Sequence, residues 1–173
     1  MMTEDPLVDV GSLLQSMAQK VTSLMQARNI GHYEIVGIRS GGVWLAKALG
    51  AELGHRGAVG ELDISFYRDD FTRIGLHPRV RPSALPFATE DQNLLLVDDV
   101  LMSGRTIRAA MNELFDFGRP ASITLAVLAD IGQRELPIQP DVLGCTLHLK
   151  PGQRVKLLGP EPLNLVVKQG VPT

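Results

Sequence analysis

An open, mostly parallel α/β sheet is the fold class this sequence predicts, and three observations predict it. Strand-like and helix-like segments alternate along the chain. Two strand-like segments run directly into loops of unusual composition that open a helix, Arg39-Ser40-Gly41-Gly42 and Asp98 to Thr106. The run Asn93 to Val97 is almost continuously apolar, as a strand buried on both faces must be.

Apolar residues at Leu13, Leu14, Met17, Val21, Leu24 and Met25 recur at helical spacing and predict an amphipathic helix from Ser12 to about Arg28, with Ser12 as its N-cap. Tyr33 to Ile38 reads as a strand, residues 39–42 as a glycine loop, and Val43 to Leu53 as a helix. Gly60 to Tyr67 alternates Leu62, Ile64 and Phe66 with polar neighbours, the period of a half-exposed strand near a sheet edge. Residues 68–92 combine charge with Pro78, Pro82 and Pro86 and show no period. A connection this long in a small domain is functional or mobile, so residues 67–92 are the expected flap over a site. After the strand at Asn93 to Val97 comes a helix with Ile107, Ala110, Met111 and Leu114 on one face, ended by Gly118-Arg119-Pro120. Ser122 to Ala129 is a second buried strand. Arg154 to Leu158 and Leu163 to Val167 supply short strands to a tail that, with residues from about 130, forms a hood.

The 173 residues, 45% of them hydrophobic, fit one domain spanning 1–173, long enough to bury roughly 68–70% of its unfolded surface. The lone Cys145 cannot form an internal disulfide, and the acidic opening Met1-Met2-Thr3-Glu4-Asp5 lacks the features of a secretory signal, so the expected location is the cytoplasm. Apolar runs such as Leu94-Leu95-Leu96-Val97 are far shorter than a membrane span. Seventeen basic against 19 acidic residues give a net charge of −2, which excludes a uniformly basic nucleic-acid coat and leaves room for a local basic patch.

In open α/β sheets, ligands sit beyond the carboxyl ends of the strands, which directs attention to residues 39–42 and 98–106. Ser103, Gly104 and Thr106 fall where a helix begins, and its free N–H groups and positive dipole end suit a phosphate. Asp98 and Asp99 are too costly to bury unpaired and require hydroxyls, cations or a metal. A sugar phosphate meets both demands, with vicinal hydroxyls donating to the two carboxylates and the phosphate resting on the turn. The bland alternative, a capped helix after an acidic strand end, explains an Asp-Asp pair but not the whole string. His32, His55, His77 and His148 are scattered, so no dedicated metal cage is expected.

Val97-Asp98-Asp99-Val100-Leu101-Met102-Ser103-Gly104-Arg105-Thr106 resembles the phosphoribosyl-diphosphate (PRPP) loop of type I phosphoribosyltransferases. Three further stretches, Gly37 to Ala46, Leu62 to Asp70 and Arg134-Glu135-Leu136-Pro137-Ile138, resemble the PyrR family. That family comprises uracil phosphoribosyltransferases, some of which also regulate pyrimidine genes by binding messenger RNA. The likeness runs from about residue 34 to 142.

The resemblance implies a type I phosphoribosyltransferase fold that converts uracil and PRPP to UMP and diphosphate. It implies that Arg39, Ser40, Gly41 and Gly42 bind diphosphate, that Asp98 and Asp99 hold the ribose hydroxyls, and that residues 101–106 hold the 5′-phosphate. The flap would add Arg68 as a catalytic cation beside Asp98 and Asp99, and Arg81 on the diphosphate, with Arg73 and Arg79 nearby. Because charge develops on sugar and leaving group, stabilisation must be mainly electrostatic. Mg²⁺ carried on the substrate suits this, with Asp98 or Asp99 as its protein ligand. A homodimer or higher homo-oligomer is expected, as type I relatives commonly pair.

Purine-salvage relatives carry a carboxylate three residues after the acidic pair, where this chain has Met102. An apolar side chain cannot exchange a proton with a base, which points to a pyrimidine; uracil itself comes from the resemblance. Ile131 and Gln133 stand where the family usually has Arg and His, Gln139 where some members have Arg, and Gly144 to Leu149 replace a Lys-Asn-x-Pro-Thr-Ser stretch. Arg134, Lys150, Arg154 and Lys156 leave some positive charge in the tail. Since RNA affinity depends on cations that neutralise phosphates, RNA is a disfavoured partner. The rival readings are a UMP-responsive RNA-binding attenuator with vestigial catalysis and a nucleotide-sensing module with neither activity.

Overall fold

The computed structural model describes residues 8–64 and 83–170. The elements run α1 (Val10–Ala27), β1 (Glu34–Ile38), α2 (Gly41–Glu52), β2 (Gly60–Leu62), β3 (Asn93–Leu101), α3 (Arg105–Asp116), β4 (Ser122–Asp130), β5 (Val142–Thr146), β6 (Gln153–Leu158) and β7 (Asn164–Gln169). The first five strands form a parallel sheet in the order β2-β1-β3-β4-β5. The predicted open α/β sheet is therefore present, with β2 at its edge.

The apolar runs are explained by burial on both faces. From β3, Leu95 and Val97 join a core with Ile35, Ala126 and Leu128 under α1 and α2. Leu94 and Leu96 point the other way and pack with Val36, Ile38, Leu125 and Val127 under α3. Each buried Leu, Ile or Val side chain contributes about 1.5–3 kcal/mol by leaving water. β6 and β7 form a separate antiparallel ribbon, paired from Gln153↔Gln169 to Leu158↔Asn164, whose Leu157 and Leu165 bury against the α1/α2 side of the core.

Several boundaries differ from those the sequence predicts. Asp9, not Ser12, caps α1: its carboxylate accepts from the N–H groups of Gly11 and Ser12, while the Ser12 hydroxyl donates to its other oxygen. Gly41 and Gly42 already belong to α2 rather than to a loop before it. β3 continues past Val97 to Leu101, because β4 pairs with it as far as Leu101↔Asp130. β5 has no counterpart among the predicted strands.

Residues 65–82, with most of the expected flap, lie outside the described residues. Those from 83 to 92 are anchored: Ala84 bridges to Glu61, the Ser83 hydroxyl accepts from the Asp63 N–H and donates to Glu113, and Leu85 and Phe87 pack on the α3 side of the core.

Candidate active site

β1 lies between β2 and β3, so the chain turns one way after β1 and the other way after β3. Ligand crevices of open α/β sheets form at this reversal. A cavity of about 650 Å³ opens there, between the segments that follow β1 and β3.

Its floor is the end of β3. Asp98 is only 5% exposed; its Oδ1 accepts from the Asp99 N–H at 2.9 Å, and Asp99 Oδ1 accepts from the Val100 N–H at 2.8 Å. These carboxylates also lie against the first turn of α2. A Cβ on Gly41 would collide with the Asp99 carboxylate, and one on Gly42 would come within 2.8 Å of the Val97 carbonyl oxygen and 3.1 Å of Asp98 Oδ1. Only glycine lets the helix start so close to the acidic strand end, and the positive end of the α2 dipole then faces the two negative charges. Gly41→Ala is accordingly expected to displace Asp99 and lower turnover on the order of a hundredfold, the scale of an ångström-level misplacement. Gly31→Ala, where a Cβ meets nothing within 4 Å, should leave the rate unchanged. Steady-state kinetics of the two variants checks this.

One wall is the turn into α3. Gly104 is its N-cap with φ 92°, a left-handed conformation natural to glycine, and offers no side chain to satisfy the helix N–H groups. Ser103, Gly104, Thr106 and Ile107 line the cavity there. The turn is held from outside by residues 131–138. The Ile131 N–H donates to the Leu101 carbonyl, and those of Glu135 and Leu136 donate to the Ser103 carbonyl. Arg134 is the centre of this clamp. Its guanidinium grips both oxygens of Asp130 at 2.9 and 2.6 Å and donates to the carbonyls of Met102 at 3.0 Å and Ile138 at 2.6 Å. Hydrogen bonding to Arg134 holds the Asp130 carboxyl below the usual carboxylate range.

Of the residues singled out from the sequence, Arg39, Ser40, Gly41, Asp98, Asp99, Val100, Leu101, Met102, Ser103, Gly104 and Thr106 line this one cavity. Gly42 sits behind Asp98 instead. Arg105 turns away, its side chain donating to Glu135 at 2.8 Å. The Arg39 guanidinium lies 3.7 Å from Glu61 and 3.8 Å from Asp63. Arg68, Arg73, Arg79 and Arg81 fall outside the described residues. The structure adds to the lining Leu149, Gln153 and Val155, which the sequence did not single out, together with Arg154, Ile131 and Gln133. Ile131 and Gln133 carry a signal as departures from a family pattern and Arg154 as a tail cation; Leu149, Gln153 and Val155 carry none.

An acidic strand end between two helix N-termini, at the reversal point of a parallel sheet, is the setting in which phosphoribosyltransferases bind their substrate, and the family comparison assigns the chain to that class. A profile of the phosphoribosyl transferase domain matches residues 9–155. The hypoxanthine phosphoribosyltransferase of Staphylococcus aureus shares the fold, with a TM-score of 0.63 and 17% identity over 85% of this chain and 80% of that one. Among curated proteins, "Bifunctional protein PyrR" of Pseudomonas entomophila (strain L48) is 59% identical over 159 residues, 92% of each chain. The protein of the same name from Pseudomonas aeruginosa (strain LESB58) is also 59% identical, over 92% of this chain and 94% of its own. The chain belongs to the PyrR family of phosphoribosyltransferases. No helix among the described residues is long and apolar enough to cross a membrane.

Proposed function

We propose that the protein transfers the phosphoribosyl group of PRPP to uracil, forming UMP and diphosphate. The observation that carries this reading is the placement of Asp98 and Asp99 on the floor of a cavity walled by the N-terminus of α3 on one side and the Arg39–Gly41 turn on another.

In this assignment the ribose hydroxyls of PRPP donate to Asp98 and Asp99, and the 5′-phosphate accepts from the N–H groups and hydroxyls of residues 103–106. The diphosphate lies along Arg39, Ser40 and Gly41. The bond from C1′ to the diphosphate oxygen breaks as the bond from C1′ to uracil N1 forms, and the N1 proton leaves to diphosphate or solvent. Positive charge grows on the sugar beside the acidic floor, and negative charge grows on the leaving group at the positive end of α2. Among the described residues no three metal-ligating side chains converge. Two adjacent carboxylates on the cavity floor are the donor set that Mg²⁺ needs when substrate oxygens and water complete its shell. Held there by Asp98 or Asp99, Mg²⁺ would supply positive charge to the departing diphosphate. The flap cations Arg68 and Arg81 would add to this. A cytoplasmic location and a homodimeric or higher assembly belong to the same reading.

Met102 lines the cavity and is 49% exposed, so the position that would meet a purine offers no proton donor or acceptor. Product formation from PRPP with uracil, orotate, hypoxanthine or guanine tests the base. Uracil alone is expected to give nucleotide; turnover of a purine with none of uracil would replace this reading.

Relatives named "Bifunctional protein PyrR" favour a second activity, and the family resemblance supplies its content, control of pyrimidine genes through a leader RNA. Against strong RNA affinity, the Arg134 charge is spent on Asp130 and two carbonyls, and Ile131 and Gln133 are uncharged. UMP-dependent retention of a pyrimidine leader transcript, measured against salt, decides it.

A further inference from the structure

Among the described residues, two cations line the cavity, Arg39 and Arg154. Their surroundings differ. Arg39 is 22% exposed and stands beside Glu61 and Asp63, so protein carboxylates already answer much of its charge. Arg154, near the start of β6, is exposed and makes no hydrogen bond or ion pair with the described residues. Its partner across the ribbon is Lys168, which adds positive charge to the same end of the ribbon. Ile131 and Gln133, which also line the cavity, carry no charge.

The division of the substrate among the lining residues says which part Arg154 meets: the 5′-phosphate is assigned to the N-terminus of α3, whereas the diphosphate has only Arg39 among the described cations, and that charge stands beside Glu61 and Asp63. Trp44 lies one turn beyond Gly41 on α2, and a Cβ on Gly159, at the end of β6, would come within 2.8 Å of its ring. Trp44, Val155 and Leu163 pack against one core together with Leu157 and Leu165. The Gly159 end of the ribbon is thereby docked on the first turn of α2, and Arg154, five residues back along β6, lines the same cavity as Ser40 and Gly41. A guanidinium matches phosphate oxygens in pairs and holds its charge at any working pH.

We propose that Arg154 binds the diphosphate end of PRPP and completes the clamp begun by Ser40 and Gly41. This inference rests on the phosphoribosyl-transfer reading. It assigns a substrate-binding side chain to the C-terminal ribbon, an element outside the motifs by which the chain is recognised.

The test compares wild type, Arg154→Gln and Arg154→Lys in the full-length protein. Arg154 is exposed and unpaired among the described residues, so all three should melt at the same temperature. In the Arg154→Gln variant the KM for PRPP and the inhibition constant of inorganic diphosphate should each rise about tenfold, the effect of losing one charge-assisted hydrogen bond. The KM for uracil and the binding of UMP, which lacks the diphosphate, should stay as they are. Arg154→Lys should recover most of the loss. If Arg154→Gln leaves the PRPP and diphosphate constants unchanged, or weakens UMP equally, the inference is overturned while the transfer reading stands. A wild-type protein that binds neither PRPP nor diphosphate overturns both.

Discussion

Replacing Asp99 by Asn should lower kcat on the order of a hundredfold while leaving the fold in place, the scale seen when one preorganised electrostatic contact to a transition state is removed. The substitution keeps the shape of the side chain and the oxygen that accepts the Val100 N–H. What it removes is a negative charge beside the ribose as that ring becomes cationic. Stability should move by no more than about 1 kcal/mol, because the charge lost is one that faces the α2 N-terminus. Thermal melting and steady-state kinetics on the same preparation separate the two effects. A variant that melts like wild type and turns over at the same rate removes Asp99 from the reaction.

Arg134→Ala should produce the largest loss of stability. Arg134 and Asp130 have side chains only 17% and 13% exposed, and deleting the guanidinium leaves a nearly buried carboxylate without its partner. Breaking such a pair costs about 3 kcal/mol or more, which at this size corresponds to a fall in Tm of roughly 6–12 °C. The same deletion frees the carbonyls of Met102 and Ile138, so the turn into α3 loosens and the KM for PRPP should rise with it.

The pair also carries a pH signature. The Asp130 carboxyl is held below its unfolded value of about 3.9. The stabilisation is thus fully present above that pH and is lost as pH falls toward the folded value. The Tm gap between wild type and Asp130→Asn should be constant from about pH 5 to 8 and shrink below about pH 4. A gap that persists undiminished into acid contradicts the assignment.

The site is legible in the sequence where chemistry and local structure coincide. Asp98, Asp99 and the Ser103-Gly104 turn declare themselves because a strand that ends in paired acids and opens into a helix suits a sugar phosphate and little else. Less legible is anything decided by a distant neighbour. The strand at Asn93 continues through the acidic pair because β4 offers it a partner as far as Asp130, which no local pattern reveals. Gly41 and Gly42 read as a loop because glycine is a poor helix residue, yet they open α2 because a larger residue would strike Asp98 or Asp99. β5 is hidden because Gly144 interrupts its apolar run, and that glycine is there because a Cβ would meet the Leu128 carbonyl oxygen at 2.5 Å. Arg134 reads as one of several tail cations in the sequence. Its role comes into view only with Asp130, Met102 and Ile138 around it.

The most direct single measurement is a structure of the protein with UMP bound. The nucleotide's phosphate is expected within hydrogen-bond reach of the N–H groups of residues 103–106, with both ribose hydroxyls on Asp98 and Asp99. A nucleotide seated elsewhere, or one whose ribose avoids both carboxylates, contradicts the site described above.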